Sequence, residues 1–142
     1  MIEIRRATLP EAEAPAAPVM RILEALDSHA TAQGISFESE EIVLEAWDGE
    51  DWAGGLNASY GTIWVFVKLL AVADGRRGQG IGQKLMAAME EEARSRGLKG
   101  IWLDTFTFQA PEFYRRAGYE EAGRIPEYFE GVARHFFFKR LG

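Results

Sequence analysis

The spacing of apolar and polar residues changes period several times along this chain, and each change marks a predicted element. Ile2-Glu3-Ile4-Arg5-Arg6-Ala7 alternates with a period of two, the pattern of a strand with one buried face. Pro10, Pro15 and Pro18 prevent a long helix from starting early. Over residues 17–33, Val19, Ile22, Leu23, Leu26 and Ala30 recur at helical spacing, His29 lies within the run, and Gly34 is placed to end it. Residues 41–47 and 52–59 flank Asp48-Gly49-Glu50-Asp51 and read as two antiparallel strands joined by a turn. After Gly61, residues 62–72 form the most apolar stretch of the chain, with the β-branched and aromatic content of a central strand.

Beyond Gly82 the period returns to that of a helix. Leu85, Met86, Met89 and Ala93 mark one face, and Glu90, Glu91, Glu92, Arg94 and Arg96 read as a solvated one. Gly97 stops this helix, and Gly100–Phe106 reads as the next strand. A strand, helix, strand order of this length implies a right-handed crossover between parallel neighbours. Pro111 suits the first turn of a short helix over residues 111–117, with Gly118 at its end. Residues 119–125 and 132–139 complete the pattern as two strands around a connection at 126–131. The architecture expected is one domain over residues 1–142, a mixed α/β sheet that is antiparallel on the N-terminal side and parallel at its centre.

Composition narrows the chemistry. The chain has 142 residues, 47% of them hydrophobic, which suffices for one ordinary core. It has no cysteine and only two histidines, His29 and His135, far apart, so thiolate catalysis and a metal site are not expected. A net charge of −6 argues weakly against a nucleic-acid partner. No apolar run approaches the roughly 20 residues that span a bilayer, and the first residues lack a signal-peptide core, so a cytoplasmic location without membrane attachment is expected.

The stretch with most chemical content is Leu70-Ala71-Val72-Ala73-Asp74-Gly75-Arg76-Arg77-Gly78-Gln79-Gly80-Ile81-Gly82-Gln83-Lys84-Leu85. A strand ends, two arginines and three alternating glycines follow, and a helix begins. Glycines let the backbone approach a phosphate, and first-turn N–H groups have no intrahelical partner, so this is an anion site. The N–H groups of residues 78–83 would hold the anion, with Arg76 or Arg77 adding charge-assisted contacts. It is not a P-loop, because Gly82 is followed by Gln83 and Lys84 rather than by lysine and a hydroxyl residue. Nor is it the dinucleotide fingerprint, whose second and third glycines are three positions apart.

Arg77-Gly78-Gln79-Gly80-Ile81-Gly82 resembles the coenzyme A signature of the GNAT superfamily of acyltransferases: Gln or Arg, two residues, Gly, one residue, then Gly or Ala. Phe108-Gln109-Ala110-Pro111-Glu112-Phe113-Tyr114-Arg115-Arg116-Ala117-Gly118-Tyr119 is similar to the alanine, tyrosine and Gly-Phe pattern that follows the next strand in that family. The two motifs and the helix between them cover residues 69–119. The resemblance implies a mixed sheet with helices on both faces, whose two central parallel strands splay apart. It also implies a pyrophosphate held by Arg77, Gly78, Gln79, Gly80, Ile81, Gly82 and Gln83, and a pantetheine arm paired like an extra strand along Leu70, Ala71 and Val72. Many members carry asparagine seven residues before the tyrosine. This chain has Thr107 there, a hydroxyl donor of shorter reach and a candidate cofactor contact.

The activity implied is transfer of an acetyl group from acetyl-CoA to a primary amine of a small molecule or peptide, by direct attack in a ternary complex. Tyr114 is the implied general acid for the departing thiolate. An amine arrives protonated, so a base or water chain is needed, and Asp104, Glu45 and His135 are the candidates. Trp47, Trp52, Tyr60, Trp64 and Trp102 read mainly as core, with one or two available to an acceptor cleft. Phe136-Phe137-Phe138 suits either a buried strand or a homodimer surface. A non-catalytic acyl-CoA-binding module is the alternative from another class.

Overall fold

The computed structural model describes residues 4–6, 16–37 and 39–142. The strand expected over residues 2–7 lies largely outside them, and residues 4–6 carry no strand. The chain divides into two compact units, Met1–Phe37 and Glu38–Gly142. In the first, helix α1 (Ala17–Ala32) has Pro18 in its opening turn and is closed by Gly34, whose φ of +72° any side chain would strain.

The second unit is a six-stranded sheet with two helices. Its strands are β1 (Glu40–Asp48), β2 (Asp51–Tyr60), β3 (Trp64–Val72), β4 (Gly100–Phe106), β5 (Glu120–Phe129) and β6 (Val132–Arg140), in the spatial order β1-β2-β3-β4-β6-β5. Helix α2 (Ile81–Ser95) links β3 to β4, and the short α3 (Pro111–Arg116) links β4 to β5. Only the β3–β4 pair is parallel, as the crossover requires, and all other neighbours are antiparallel.

The expected face of α2 packs on the sheet. Leu85, Met86, Met89 and Ala93 meet Leu56, Val65, Val67, Ile101, Leu103 and Phe137, alternate residues of their strands, in one core. Glu90 is a correction to the solvated reading of the acidic triplet. It is 8% exposed and its carboxylate lies 2.5 Å from the Lys139 ammonium. The position completes the stripe Met86, Met89, Glu90, Ala93, so helical geometry turns it inward and a buried charge demands a partner. The tail also differs: β5 continues through Pro126 to Phe129, with its pairing to β6 interrupted between Ile125 and Phe129, where Glu127 has φ +49°. Phe136-Phe137-Phe138 lies on β6, inside the sheet with neighbours on both edges, and Phe137 is 1% exposed.

Two irregularities meet in β3. Its pairing with β4 runs from Trp64↔Gly100 to Val67↔Leu103 and then stops. Its register with β2 shifts at the same place, from Ala58↔Val67 to Asn57↔Leu69, leaving Lys68 as an inserted residue. The two parallel strands therefore part beyond Val67, and the second half of β3 is paired on one edge only.

Candidate active site

The parting of β3 from β4 opens a cleft of about 1110 Å³. One wall is the second half of β3, with Leu70, Ala71 and Val72. Ala73 donates its N–H to Ala53 O on β2, so strand alternation turns the groups of Ala71 the same way and those of Leu70 and Val72 to the open edge. Unpaired strand groups beside a cleft are a template for an extended amide-containing ligand.

The cleft continues to the glycine loop, where Gly78, Gly80, Ile81, Gly82 and Gln83 line it. Gly78 and Gly80 have φ of +80° and +77°, and Gly80 is the N-cap of α2. A Cβ at Gly78 would meet nothing within 4 Å, so the loop leaves open space rather than packing. The first intrahelical bond is Lys84 N–H to Gly80 O. Among the described residues, none of the N–H groups of residues 78–83 has an acceptor. Such a row of unpaired donors at a helix N-terminus fits a phosphate-rich ligand. Of the two arginines, Arg76 is held by Asp48 at 2.7 Å and by Asp51 at 3.7 Å in the β1–β2 turn. Arg77 has no such partner among the described residues and lines the cleft, so its charge is open to a ligand.

The opposite wall comes from the end of β4 and the start of α3: Asp104, Thr105, Phe106, Gln109, Phe113 and Tyr114. Pro111 fixes the first turn of α3, and a Cβ on Gly82 would touch the Phe113 ring at 3.4 Å, so α2 and α3 approach closely. Tyr114 is 7% exposed, and its hydroxyl has no hydrogen-bond partner among the described residues. Burial, helped by the charge of Asp104, pushes its pKa up to about 12, so it stands in the cleft as a neutral phenol with a proton to give.

Of the three candidate bases, Asp104 alone lines the cleft. Both its oxygens are engaged by Arg134, at 3.1 Å from Nε and 2.9 Å from Nη2. Arg134 in turn lies over the rings of Tyr128 and Phe136. Glu45 accepts the Trp52 indole N–H at 3.0 Å on β1, away from the cleft. His135 is 4% exposed, with Nδ1 2.6 Å from Glu121 and Nε2 3.0 Å from the Thr107 hydroxyl. Hydrogen bonds from Arg124 foremost, then from His135 and Arg115, outweigh partial burial and hold the Glu121 carboxyl at about 2, so it is ionised and His135 Nδ1 carries the proton.

Two residues expected at the cofactor are not among those lining the cleft, Gln79 and Thr107. The Thr107 hydroxyl instead accepts the Ala133 N–H at 3.0 Å and meets His135, tying the loop after β4 to the start of β6. None of Trp47, Trp52, Tyr60, Trp64 and Trp102 lines the cleft either: Tyr60 is core, and Trp102 stacks on Phe66 with centroids 4.0 Å apart. The aromatic rings that do line it are Phe106, Phe108, Phe113 and Tyr114. Gln109 was missed as a site residue, although it stands inside the second motif.

Comparison with known proteins agrees with this fold. The family model described as an acetyltransferase (GNAT) domain matches residues 22–121. Blasticidin-S acetyltransferase of Streptomyces morookaense is 43% identical over 90 residues, 63% of this chain and 66% of that protein, so the chain spans just under two thirds of that relative. Among solved structures, an acetyltransferase from Bacillus cereus superposes with a TM-score of 0.79 at 28% identity, over 93% of this chain and 98% of that one. An aminoglycoside 6'-N-acetyltransferase complexed with coenzyme A superposes with a TM-score of 0.62 over 71% of this chain and 73% of that one. At 23% identity, that likeness is one of fold. With the splayed parallel pair, the glycine loop and the tyrosine of α3 in the expected order, the chain belongs to the GNAT acetyltransferase family.

Proposed function

We propose that this chain transfers an acetyl group from acetyl-CoA to an amine of a small molecule or peptide by direct attack in a ternary complex. The observation that carries this reading is the continuity of one cleft past three features: the open edge of β3, the unpaired N–H groups of residues 78–83, and the free phenol of Tyr114. The row of N–H groups with Arg77 suits the pyrophosphate. The edge at Leu70 and Val72 suits the amides of pantetheine. This ordering leads the thioester toward Asp104 and Tyr114.

In this reading the backbone N–H near Leu70 stabilises the negative charge that builds on the thioester oxygen as the amine attacks. Tyr114 protonates the thiolate as the C–S bond breaks. Asp104, its charge balanced by Arg134 through both oxygens, orients the incoming amine rather than taking its proton. The amine then loses its proton through water. The name of the blasticidin-S relative favours an antibiotic-like small-molecule amine over a peptide.

The test is a screen of amines with acetyl-CoA, read by release of free thiol, on wild type and Tyr114→Phe. Turnover that falls about 100-fold or more in the variant, with acetyl-CoA affinity kept, is the expected outcome. Binding of acetyl-CoA without turnover on any amine would instead favour a non-catalytic acyl-CoA-binding module.

A further inference from the structure

Gln109 lies in the loop between β4 and α3 and lines the cleft beside Thr105 and Tyr114. Its Oε1 accepts two hydrogen bonds, from the Phe106 N–H at 2.9 Å and from the Thr105 hydroxyl at 3.2 Å. Thr105 is 4% exposed, so that partner is fixed. Exchanging the ends of the carboxamide would set its N–H2 against the Phe106 N–H, donor facing donor, so the orientation is determined by its neighbours. With both lone pairs of the oxygen used, what remains is two N–H donors, and they have no acceptor among the described residues. Nearby, Asp104 is already bonded by Arg134 through both oxygens, and the Thr107 hydroxyl by Ala133 and His135.

We propose that Gln109 is a co-substrate-binding residue, donating its side-chain N–H to a carbonyl oxygen of the acyl-pantetheine arm in the cleft. The chemistry selects that partner. An uncharged donor beside a carboxylate already neutralised by arginine matches an uncharged acceptor, which an amide or thioester carbonyl is. The inference rests on the acetyl-CoA reading above and adds to it a contact on the wall facing β3, so that the arm is held from both sides of the cleft.

The test compares acetyl-CoA affinity by calorimetry, and melting temperature, in wild type, Gln109→Glu and Gln109→Met. Glutamate keeps an oxygen for Phe106 and Thr105 but removes the donors, whereas methionine removes both functions. Loss of about tenfold or more in affinity in Gln109→Glu, at unchanged melting temperature, is expected. Wild-type affinity in Gln109→Glu overturns the proposal, and does so even if Gln109→Met is weakened or unfolded, because Gln109 is then only a brace for its loop. Absence of acetyl-CoA binding by wild type would overturn the co-substrate reading itself, and the wild-type arm separates that failure from failure of Gln109 alone.

Discussion

The site consists of side chains whose partners decide which of them remain free for chemistry. The Tyr114 hydroxyl has no hydrogen-bond partner among the described residues, and burial, with the charge of Asp104, raises its pKa to about 12, so it is protonated at neutral pH. A rate that rises with pH therefore reports loss of a proton by the amine, not by this phenol. Glu121 shows the opposite case. Its carboxyl sits at about 2 against an ordinary 4.5, so its contribution to stability is complete above pH 4.5 and is lost as pH falls toward 2. Glu121→Gln is expected to flatten acid unfolding in that window by about 1–2 kcal/mol, discounted for the partly exposed Arg124, as read by urea melts at pH 2.5 and pH 6. At this scale the sequence was only partly legible. The tyrosine stands in a motif, but nothing in the spacing says that His135 claims the Thr107 hydroxyl across 28 residues, leaving Gln109 as the loop side chain with donors to spare. Glu90 was readable, since counting three and four from Met86 places it on the buried stripe.

At the level of elements, helix and strand identities were readable because each has its own period and its own stop: Gly34, Gly97 and Gly118 all adopt positive φ just beyond their helices. The bulge in β3 was not readable. Residues 64–72 are apolar almost throughout, and a continuous apolar run carries no alternation from which an inserted residue could be detected. Yet that insertion falls where β3 parts from β4 and the cleft opens. Deleting Lys68 would keep the pairs Ala58↔Val67 and Asn57↔Leu69 and remove the inserted residue, and with it the bend at the point where β3 leaves β4. The variant is expected to fold but to lose acetyl-CoA affinity by more than about tenfold, whereas Lys68→Ala, which only breaks an ion pair with Glu41, is expected to bind like wild type. Calorimetry on the two decides it.

For the whole molecule, one crossover and three hairpins, β1–β2, β2–β3 and β5–β6, account for the sheet of the second unit. The strands and the parallel pair were readable, although the place of β6 between β4 and β5 was not. Nor was the acceptor. The glycine loop and the tyrosine segment carry recognisable motifs, whereas the rest of the cleft wall includes Phe106, Phe108 and Asp104, which no spacing in the chain distinguishes from ordinary packing.

The half-paired state of β3 also has a consequence in time. Amide protons on a strand bonded at both edges exchange with solvent only when the sheet opens, but those of Leu70 and Val72 face the cleft and need no opening. In deuterated buffer they are expected to exchange orders of magnitude faster than those of Val65 or Leu103, and to slow sharply when acetyl-CoA is added. Fast exchange that acetyl-CoA leaves unchanged would mean that the ligand does not complete the sheet. Slowing confined to these two amides and to residues 78–83 would trace the bound molecule along the backbone, one proton at a time.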